Sequence, residues 1–267
     1  MIKRSENFVL LDFFRQIFSY REYFIQSVMR DLRKRYKRSV LGYLWAMLHP
    51  LGMMLILALV FSNIMKVSID DYAIFLFAGL LPWNFLQSTA LMSLGSIKAN
   101  AALFGHIPVP KYLFIVSTAI TNFVNYLLAL IPLLLLMFLF GRPFHLAVLA
   151  FPIVALPFVM VVMALALVLA ASNVFFDDTS HLAEVFLQAL YFLCPVLYHR
   201  SLLPNHVLKY LKLNPLFIQI ENIRDLFYVG SVPGLEIFAL SLLVSLIILS
   251  LALWIFKRNE DKFLYFL

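Results

Sequence analysis

Six long stretches of the chain contain no Asp, Glu, Lys or Arg, and each is at least 15 residues long. A helix that crosses a bilayer needs about 20 mainly apolar residues, so these stretches are typical of membrane-spanning helices. The composition agrees, because 63% of the 267 residues are apolar and only 13% are charged, against roughly 25% charged residues in soluble domains. The sequence therefore predicts an all-α integral membrane protein and excludes a soluble globular domain. The charge-free stretches are residues 39–65, 72–97, 112–141, 143–176, 185–199 and 237–256.

These stretches predict six transmembrane helices within a transmembrane domain at residues 39–267. The fourth helix should start late, near Leu146, because three prolines lie near the start of its stretch. The fifth stretch is short, so it crosses the membrane only if its helix starts near Leu182 or runs past Tyr198. The predicted spans are residues 41–65, 72–97, 112–140, 146–175, 182–199 and 237–256.

The positive charges are concentrated near the amino terminus. Ten of the 21 Lys and Arg residues lie within residues 1–38, together with four of the 14 acids, so this segment carries +6 of the net charge of +7. With six spans, fifteen Lys and Arg residues fall on one side and six on the other, and the positive-inside rule makes the first side cytoplasmic. We therefore expect both termini in the cytoplasm and no cleaved signal peptide. A basic excess can bind nucleic acid or anionic lipid, and in a hydrophobic chain we expect lipid and no nucleic acid.

Residues 1–38 form a predicted cytoplasmic segment, with an amphipathic helix and a basic run. Residues 8–30 place polar and apolar side chains on opposite helical faces, as in a helix that lies in the membrane interface. Packing of the apolar face against the protein's own spans is an equally good interpretation, and both can hold together. Arg21 falls within the apolar face, where it either snorkels or interrupts the helix.

The basic run can act on lipid in two ways. Each cation near the surface contributes about 1 kcal/mol of attraction to anionic head groups, and arginine can also bind a phosphate bidentately. The residues predicted to contact the membrane surface or a lipid pyrophosphate are Arg30, Arg33, Lys34, Arg35, Lys37 and Arg38.

Residues 200–236 are the longest stretch outside the predicted spans after the amino-terminal segment. Pro204, Pro215 and Pro233 punctuate two short amphipathic helices. An apolar stripe of about three turns is too short to cross a bilayer. We predict a re-entrant or interfacial hairpin on the outer face.

The sequence carries no motif for catalysis or for binding ATP. None of the eight glycines precedes a lysine, so the chain lacks the phosphate-binding loop of P-loop ATPases. The charge-free stretches also lack the buried acids and bases that ion-coupled transporters and membrane-embedded enzymes use. We therefore expect a non-catalytic subunit without a cofactor of its own.

Four ionisable residues lie close together after the fourth predicted span. They could hold a metal ion, but the sequence Asp-Asp-Thr-Ser is also typical of a helix N-terminus, where acids act as caps and interact with the helix dipole. We favour a solvated cytoplasmic turn without a metal. The residues are Asp177, Asp178, His181 and Glu184.

Uncharged polar residues recur at helical spacing in the second and third spans. Such groups face lipid only at high cost, so they either join helices to one another or line a path for a hydroxyl-rich solute. Aromatic side chains near the start of the first span either anchor it at the interface or stack on sugar rings. The candidate pathway residues are Tyr43, Trp45, Asn84, Gln87, Ser88, Thr118, Thr121, Asn122 and Asn125.

Several motifs resemble one family, the membrane subunits of ABC exporters for polysaccharides and polyol phosphates, which include O-antigen, capsule and teichoic-acid permeases. The most specific is DLRKRYKRSVLGYLWAMLHP at residues 31–50, which is similar to the family's segment leading into the first span. Residues 100–111 are similar to its loop between spans two and three. NVFFDD at residues 173–178 and Asn214-Pro215 also match. Asp177 departs from the pattern, because the family often has arginine there.

The resemblance implies a homodimer of permeases with two copies of a separate ATPase subunit that binds ATP and magnesium. It implies that loops 98–111 and 173–184 contact this ATPase, and that the hairpin at residues 200–236 forms an outer gate. The expected ATPase-coupling residues are Asn100, Leu103, Phe104, Pro108, Asp177, Asp178 and His181, and the expected gate residues are Asn214, Pro215, Glu221, Arg224 and Tyr228.

We therefore predict the permease of an ATP-driven exporter that moves undecaprenyl-pyrophosphate-linked O-antigen across the bacterial inner membrane. Three alternatives remain open at this point. The same machine could export capsule, teichoic acid, or a small drug or lipid. A membrane-embedded transferase acting on lipid-linked sugar would need acids or histidines within the spans. A passive channel would need a charged or carbonyl-lined filter.

Overall fold

The computed structural model describes residues 9–37, 39–65, 69–103 and 110–266, and the regular structure in these ranges is helical, without a strand. This confirms the all-α prediction. The α-helices are, in chain order, α1 (Val9–Ser19), α2 (Arg21–Tyr36), α3 (Trp45–Met65), α4 (Ile69–Leu94), α5 (Ser96–Ala99), α6 (Tyr112–Leu139), α7 (Phe151–Val154), α8 (Leu156–Phe175), α9 (Thr179–Leu193), α10 (Asn205–Leu211), α11 (Pro215–Tyr228) and α12 (Leu235–Asn259). Short 3-10 helices occupy Gly42–Leu44, Ala101–Leu103, Leu146–Ala150, Arg200–Leu202 and Glu260–Tyr265.

Five helical stretches of the described chain are long and apolar enough to cross a membrane. The fifth predicted span, residues 182–199, is not among them, because α9 has 15 residues and reaches about 22 Å at 1.5 Å per residue. A bilayer core is about 30 Å thick. The six-span count and the re-entrant hairpin therefore stay predictions. The five stretches are Gly42–Phe61, Asp71–Leu94, Tyr112–Leu139, Leu146–Phe175 and Leu235–Tyr265.

The fourth of these stretches begins in the interrupted way that its prolines predict. A 3-10 turn starts at Leu146, the four-residue α7 follows, and the helix is broken at Ala155 before α8 begins. Pro152 and Pro157 lie on either side of the break. Proline lacks an amide hydrogen and its ring crowds the preceding turn, so the long regular helix begins only at Leu156, with Pro157 in its first turn.

The amino-terminal segment is two helices where the sequence predicted one over residues 8–30. α1 and α2 meet at Tyr20, whose backbone (φ −98°, ψ 21°) leaves the helical region. Arg21 therefore marks an interruption, one of the two alternatives predicted for it, and it is exposed beside Glu22 at 3.6 Å. Phe13 and Phe24 are buried against the spans, whereas Phe18 is 71% exposed. The apolar face thus packs partly on the protein itself and partly remains open.

The helices pack around α4, which contacts α3, α6, α8, α9 and α11. In the most apolar stretch of α4, 78% of the residues are buried. The corresponding fractions are 17% for α3 and 22% for α12, so these outer helices expose wide apolar surfaces. One cluster of buried side chains lies around α4, α6, α9 and α11, and a second joins α1, α6, α8 and α12. At one end of the bundle, α2 lies beside the start of α6 and the ends of α4 and α8, and we call this the basic end. The opposite end is called the far end.

Residues 200–236 contain two short helices, α10 and α11, as their prolines predict. The side chain of Asn214 accepts a hydrogen bond from the Leu216 amide (3.1 Å) and Pro215 occupies the first turn, so both helix-start signals are used. After α11 the chain turns at Gly230, whose φ of 76° favours glycine. α11 packs on α4 and α12, which places its buried face inside the bundle.

Candidate functional site

A cavity of about 450 Å³ lies between α3, α4 and α6. Six of the nine predicted pathway residues line it, together with Ser39, His49 and Tyr126, which the sequence analysis did not include. The cavity is thus polar in a part of the chain whose helices are otherwise apolar. The predicted residues at its wall are Trp45, Asn84, Gln87, Ser88, Asn122 and Asn125.

The depth of the cavity follows from the position of its residues along the helices. Asn122 is ten residues into α6, which is about 15 Å from the helix start at 1.5 Å per residue. Asn84 is ten residues before the end of α4, at a similar depth. The cavity therefore lies at about the middle of the bundle, and Trp45, 50% exposed, lies at its edge.

Three predicted pathway residues lie outside this cavity. Tyr43 is 45% exposed and is not part of the wall. The hydroxyl of Thr121 is buried and donates to the Ser117 carbonyl at 2.9 Å, and that of Thr118 donates to the Phe114 carbonyl at 3.1 Å. Threonine in a helix often bonds its own preceding turn in this way, so helical spacing alone did not distinguish cavity residues from self-bonded ones.

A second cavity, of about 540 Å³, lies at the basic end between α2, α5 and α6. Thr118 and Asn100 are on its wall with two members of the basic run, Arg30 and Lys34. The charge of Arg30 is partly neutralised there by Asp31, whose Oδ1 lies 3.1 Å from Arg30 Nε, and Arg30 Nη2 also donates to the Ser27 hydroxyl at 3.2 Å.

The basic run also borders an open groove of about 840 Å³ along α2. Arg30, Arg33, Lys34 and Lys37 line this groove together with apolar Ile25 and Met29. This combination suits a lipid surface, because the apolar stems pack on acyl chains while the cationic groups stay at head-group level. The side chains of Arg35 and Arg38 lie outside the described part of the structure.

The two predicted coupling loops meet at the basic end. Lys98 Nζ is paired with Asp177 Oδ1, and buried Asn173 donates from Nδ2 to the Leu94 carbonyl at 2.9 Å. The hydrogen bond from Lys98 lowers the pKa of the Asp177 carboxyl below its ordinary value. Lys98 was not among the predicted site residues. It is 79 residues from Asp177 in the sequence, so no local pattern predicts that the two residues pair.

The other predicted coupling residues have different surroundings. Asn100 donates to the Ser96 carbonyl at 2.7 Å, and Asp178 and His181 are exposed. Asp178 precedes α9 without a side-chain cap hydrogen bond, so the predicted capping pattern does not form through it. Among the described residues no group of three His, Cys, Asp or Glu side chains could hold a metal ion. The Leu103 side chain, Phe104 and Pro108 lie outside the described residues.

One of the predicted gate residues is an arginine that is buried at the far end. Arg224 is 2% exposed and donates to the carbonyls of Pro195 and, at 3.3 Å, Val196. Its guanidinium carbon lies 4.0 Å from the centre of the Phe75 ring. Burial lowers the pKa of Arg224 to about 10, so it remains charged at neutral pH.

The surroundings of Arg224 hold α11 in place. A side chain at Gly79 of α4 would overlap the guanidinium, so the glycine makes room for it. Glu221 is buried and lies 3.6 Å from Arg200, and Tyr228 packs edge-on against Phe75 with ring centres 5.4 Å apart. Glu221 and Arg224 alternate with apolar residues in the sequence of α11, and the structure buries both.

Comparison with known proteins identifies related sequences along almost the whole chain. A family model described as "ABC-2 type transporter" matches residues 22–228. The O-antigen export system permease protein RfbA of Myxococcus xanthus is 31% identical over 251 residues, 93% of this chain and 96% of that protein. RfbA of Klebsiella pneumoniae is 28% identical over 88% of this chain and 90% of its own. The polysialic acid transport protein KpsM of Escherichia coli is 27% identical over 88% and 93%. The predicted resemblance is confirmed.

Proposed function

Since the chain belongs to the ABC-2 type transporter family, we propose that it is the permease of an ATP-driven exporter of lipid-linked polysaccharide, O-antigen above all. The cargo is attached to undecaprenyl pyrophosphate and moves outward across the bacterial inner membrane. Two copies of this chain act with two copies of an ATPase subunit, which binds the ATP and magnesium. Relatives named as O-antigen export permeases, aligned over about nine-tenths of both chains, support this cargo.

The polar cavity between α3, α4 and α6 is the observation that carries the proposal. Within the described chain, the half-buried side chains of Asn84, Gln87 and Ser88 make no hydrogen bond to another residue, although they lie in an apolar helix. Buried or lipid-facing amides without partners are costly. Residues that only join helices would be hydrogen-bonded across them, so these side chains are better explained as contacts for the hydroxyls of a glycan.

The two ends of α9 support its role as the fifth span. Just before it, Asn173 donates to the carbonyl of Leu94 at one end of α4 (2.9 Å). After it, the Leu197 carbonyl accepts from Tyr72 near the other end of α4 (2.7 Å). Residues 173–197 thus cover the same depth as α4, and the non-helical residues after α9 complete the crossing. With six spans, the basic end faces the cytoplasm and carries both termini, and α10 and α11 form the re-entrant outer hairpin.

The cations of the α2 groove attract the pyrophosphate of the lipid carrier. Arg30, Arg33 and Lys34 lie beside apolar side chains there, so one face can contact both the charged group and the lipid chain. The glycan enters the adjacent polar cavity. Loops 98–111 and 173–184 receive the movement of the ATPase, and α11, held by Arg224, opens at the outer face.

The decisive experiment is purification of this chain with its ATPase subunit, followed by measurement of ATP hydrolysis with and without lipid-linked glycan. We expect the two proteins to purify together and the glycan to stimulate hydrolysis. Failure of any ATPase to bind, or turnover of lipid-linked sugar by this chain alone, would overturn the proposal and favour a transferase.

A matched pair of variants tests the cavity itself. Gln87→Leu removes a cavity amide, and loss of one hydrogen bond of about 1 kcal/mol predicts about a fivefold lower export rate. Thr121→Val changes an equally deep polar residue of α6 whose hydroxyl serves its own helix, so export should be nearly unchanged. Equal effects of both substitutions on export would count against a glycan path through this cavity.

Capsular polysaccharide is the second candidate cargo, because the polysialic acid transport protein of E. coli aligns over 88% of this chain. The two cargoes differ in the glycan and share the machine. Restoration of capsule export, but not O-antigen export, in strains lacking their own permease would identify capsule as the cargo.

A further inference from the structure

The carboxy-terminal turn, residues 260–266, lies between the two loops assigned to ATPase coupling. We propose that it is a clamp that makes these loops move as one unit, and that export depends on this connection. The inference rests on the proposed function of the loops, but the connection itself can be measured without ATPase or cargo.

The first half of the clamp holds the end of loop 98–111. The main-chain N–H of Lys111 donates to Glu260 Oε1 at 2.8 Å, and Lys111 Nζ donates to the Glu260 carbonyl at 2.6 Å. Lys111 is the residue that precedes α6 and is only 9% exposed. A carboxylate at this position accepts an amide that the helix leaves unpaired and interacts favourably with the helix dipole. Glu260 thus fixes the point where the loop becomes α6.

The second half of the clamp holds the start of loop 173–184. Phe263 is fully buried, with its ring centre 5.6 Å from that of Phe175, the last residue of α8, and 5.3 Å from that of Phe256. Phe266 packs edge-on against the same Phe175 at 5.0 Å. Lys111 Nζ lies 5.7 Å from the Phe263 ring centre, so one side chain of the turn contacts residues at the ends of both loops.

A second connection between the loops is weaker. Lys98 pairs with Asp177, but the Asp177 side chain is 92% exposed, and exposed ion pairs contribute little because water and salt screen them. Buried aromatic contacts and hydrogen bonds are not screened in this way. We therefore assign the mechanical connection to the turn, although it follows the last span and belongs to neither loop.

The connection is tested by the distance between two spin labels, one on each loop, in the purified full chain in lipid nanodiscs. Ala102→Cys and Glu184→Cys place the labels at exposed positions, and the chain's own Cys194 is fully buried. Phe263→Ala removes the aromatic side of the clamp, and Tyr265→Ala is the matched control, because Tyr265 is 86% exposed in the same turn. We expect a broadened distance distribution for Phe263→Ala only.

A second pair of variants keeps the test decisive if Phe263→Ala does not insert into the membrane. Glu260→Ala removes the carboxylate that receives the Lys111 amide, and Lys262→Ala removes an exposed charge from the same turn. Glu260→Ala should broaden the distribution, and Lys262→Ala should not. An unchanged distribution in Glu260→Ala would overturn the clamp.

The functional consequence is measured as glycan exported per ATP hydrolysed by the complex. Removing an interaction that couples two sites predicts about a fivefold or larger decrease in this ratio, while ATP hydrolysis and binding of the ATPase continue. A broadened distribution with an unchanged ratio would overturn the dependence of export on the clamp. If no ATPase binds the wild-type chain, the proposed function fails, and the label distances still decide whether the turn joins the loops.

Discussion

Replacement of Arg224 by methionine should release α11 from the bundle and expose Cys194. Methionine is unbranched and retains the apolar contacts of the arginine stem, but it is shorter and cannot donate to the carbonyls of Pro195 and Val196. Hydrogen bonds from a charged donor contribute about 1.5–3 kcal/mol each, and the desolvated cation–π contact with Phe75 about 2 kcal/mol. Methionine avoids the cost of burying a charge, which amounts to several kcal/mol. The net loss should be about 2–3 kcal/mol.

Cys194 reports this loss directly, because it is fully buried, lies next to Pro195 and receives a contact from Asn214 at 3.6 Å. Its reaction with a membrane-impermeant maleimide measures the population in which α11 has moved away. Since each 1.4 kcal/mol is a factor of ten, the rate should rise by about 30- to 150-fold.

Lys209→Met is the matched control, because it also replaces a cation of this region by methionine, but one that lies exposed on α10. Surface substitutions away from buried contacts usually change stability by less than about 0.5 kcal/mol, so labelling should change little. Gly79→Ala perturbs Arg224 from the other side, since the added carbon would overlap the guanidinium, and it should raise the labelling rate as Arg224→Met does. Equal labelling rates for Arg224→Met and Lys209→Met would refute the reasoning.

Three further predictions concern single contacts. Lys98 lowers the pKa of Asp177 below its ordinary value of 3.8, so the ion pair should persist above pH 3.8 and be lost as the pH falls below it. Carbodiimide coupling near neutral pH should join the two residues, and mass spectrometry showing no joined peptide would contradict the pair. Asn173→Ala removes the hydrogen bond to the buried Leu94 carbonyl of α4 and should lower the free energy of unfolding by about 1–3 kcal/mol. An unchanged unfolding temperature would contradict the importance of this buried bond. Gly230→Ala places a side chain at a backbone φ of 76° and should lower stability by at least about 1–2 kcal/mol. Gly234→Ala, with open space around residue 234, should be nearly neutral, and equal stability of the two variants would disprove the backbone constraint at Gly230.

The helices most strongly implied by the sequence lie close to where it predicted them. α6 covers Tyr112–Leu139 against a predicted 112–140, and α8 ends at Phe175, as predicted. Uninterrupted apolar composition specifies these helices locally, since their backbone hydrogen bonds are internal. The amino-terminal helix was less predictable, because Arg21 in its apolar face was compatible either with snorkelling or with the break that the structure places at Tyr20.

The candidate site was partly predictable, because polar residues stand out in an apolar helix. Polarity within an apolar helix identified Asn84, Gln87 and Asn125 as unusual, and all three line the cavity. The same criterion selected Thr121, whose hydroxyl bonds its own helix. Spacing reports which face of a helix a residue occupies, but not whether that face meets a cavity or a neighbouring helix.

By itself, the sequence determined that the chain is helical, that it belongs in a membrane and that its positive charge gathers in one amino-terminal segment, because composition and charge spacing are properties of short stretches. Only the tertiary structure decided that Arg224 is buried beneath Phe75, that Lys98 pairs with Asp177 and that Glu260 caps α6. Glu260 and Lys111 are 149 residues apart. Partners so distant are brought together by packing of whole helices, which depends on the shapes of all their faces at once.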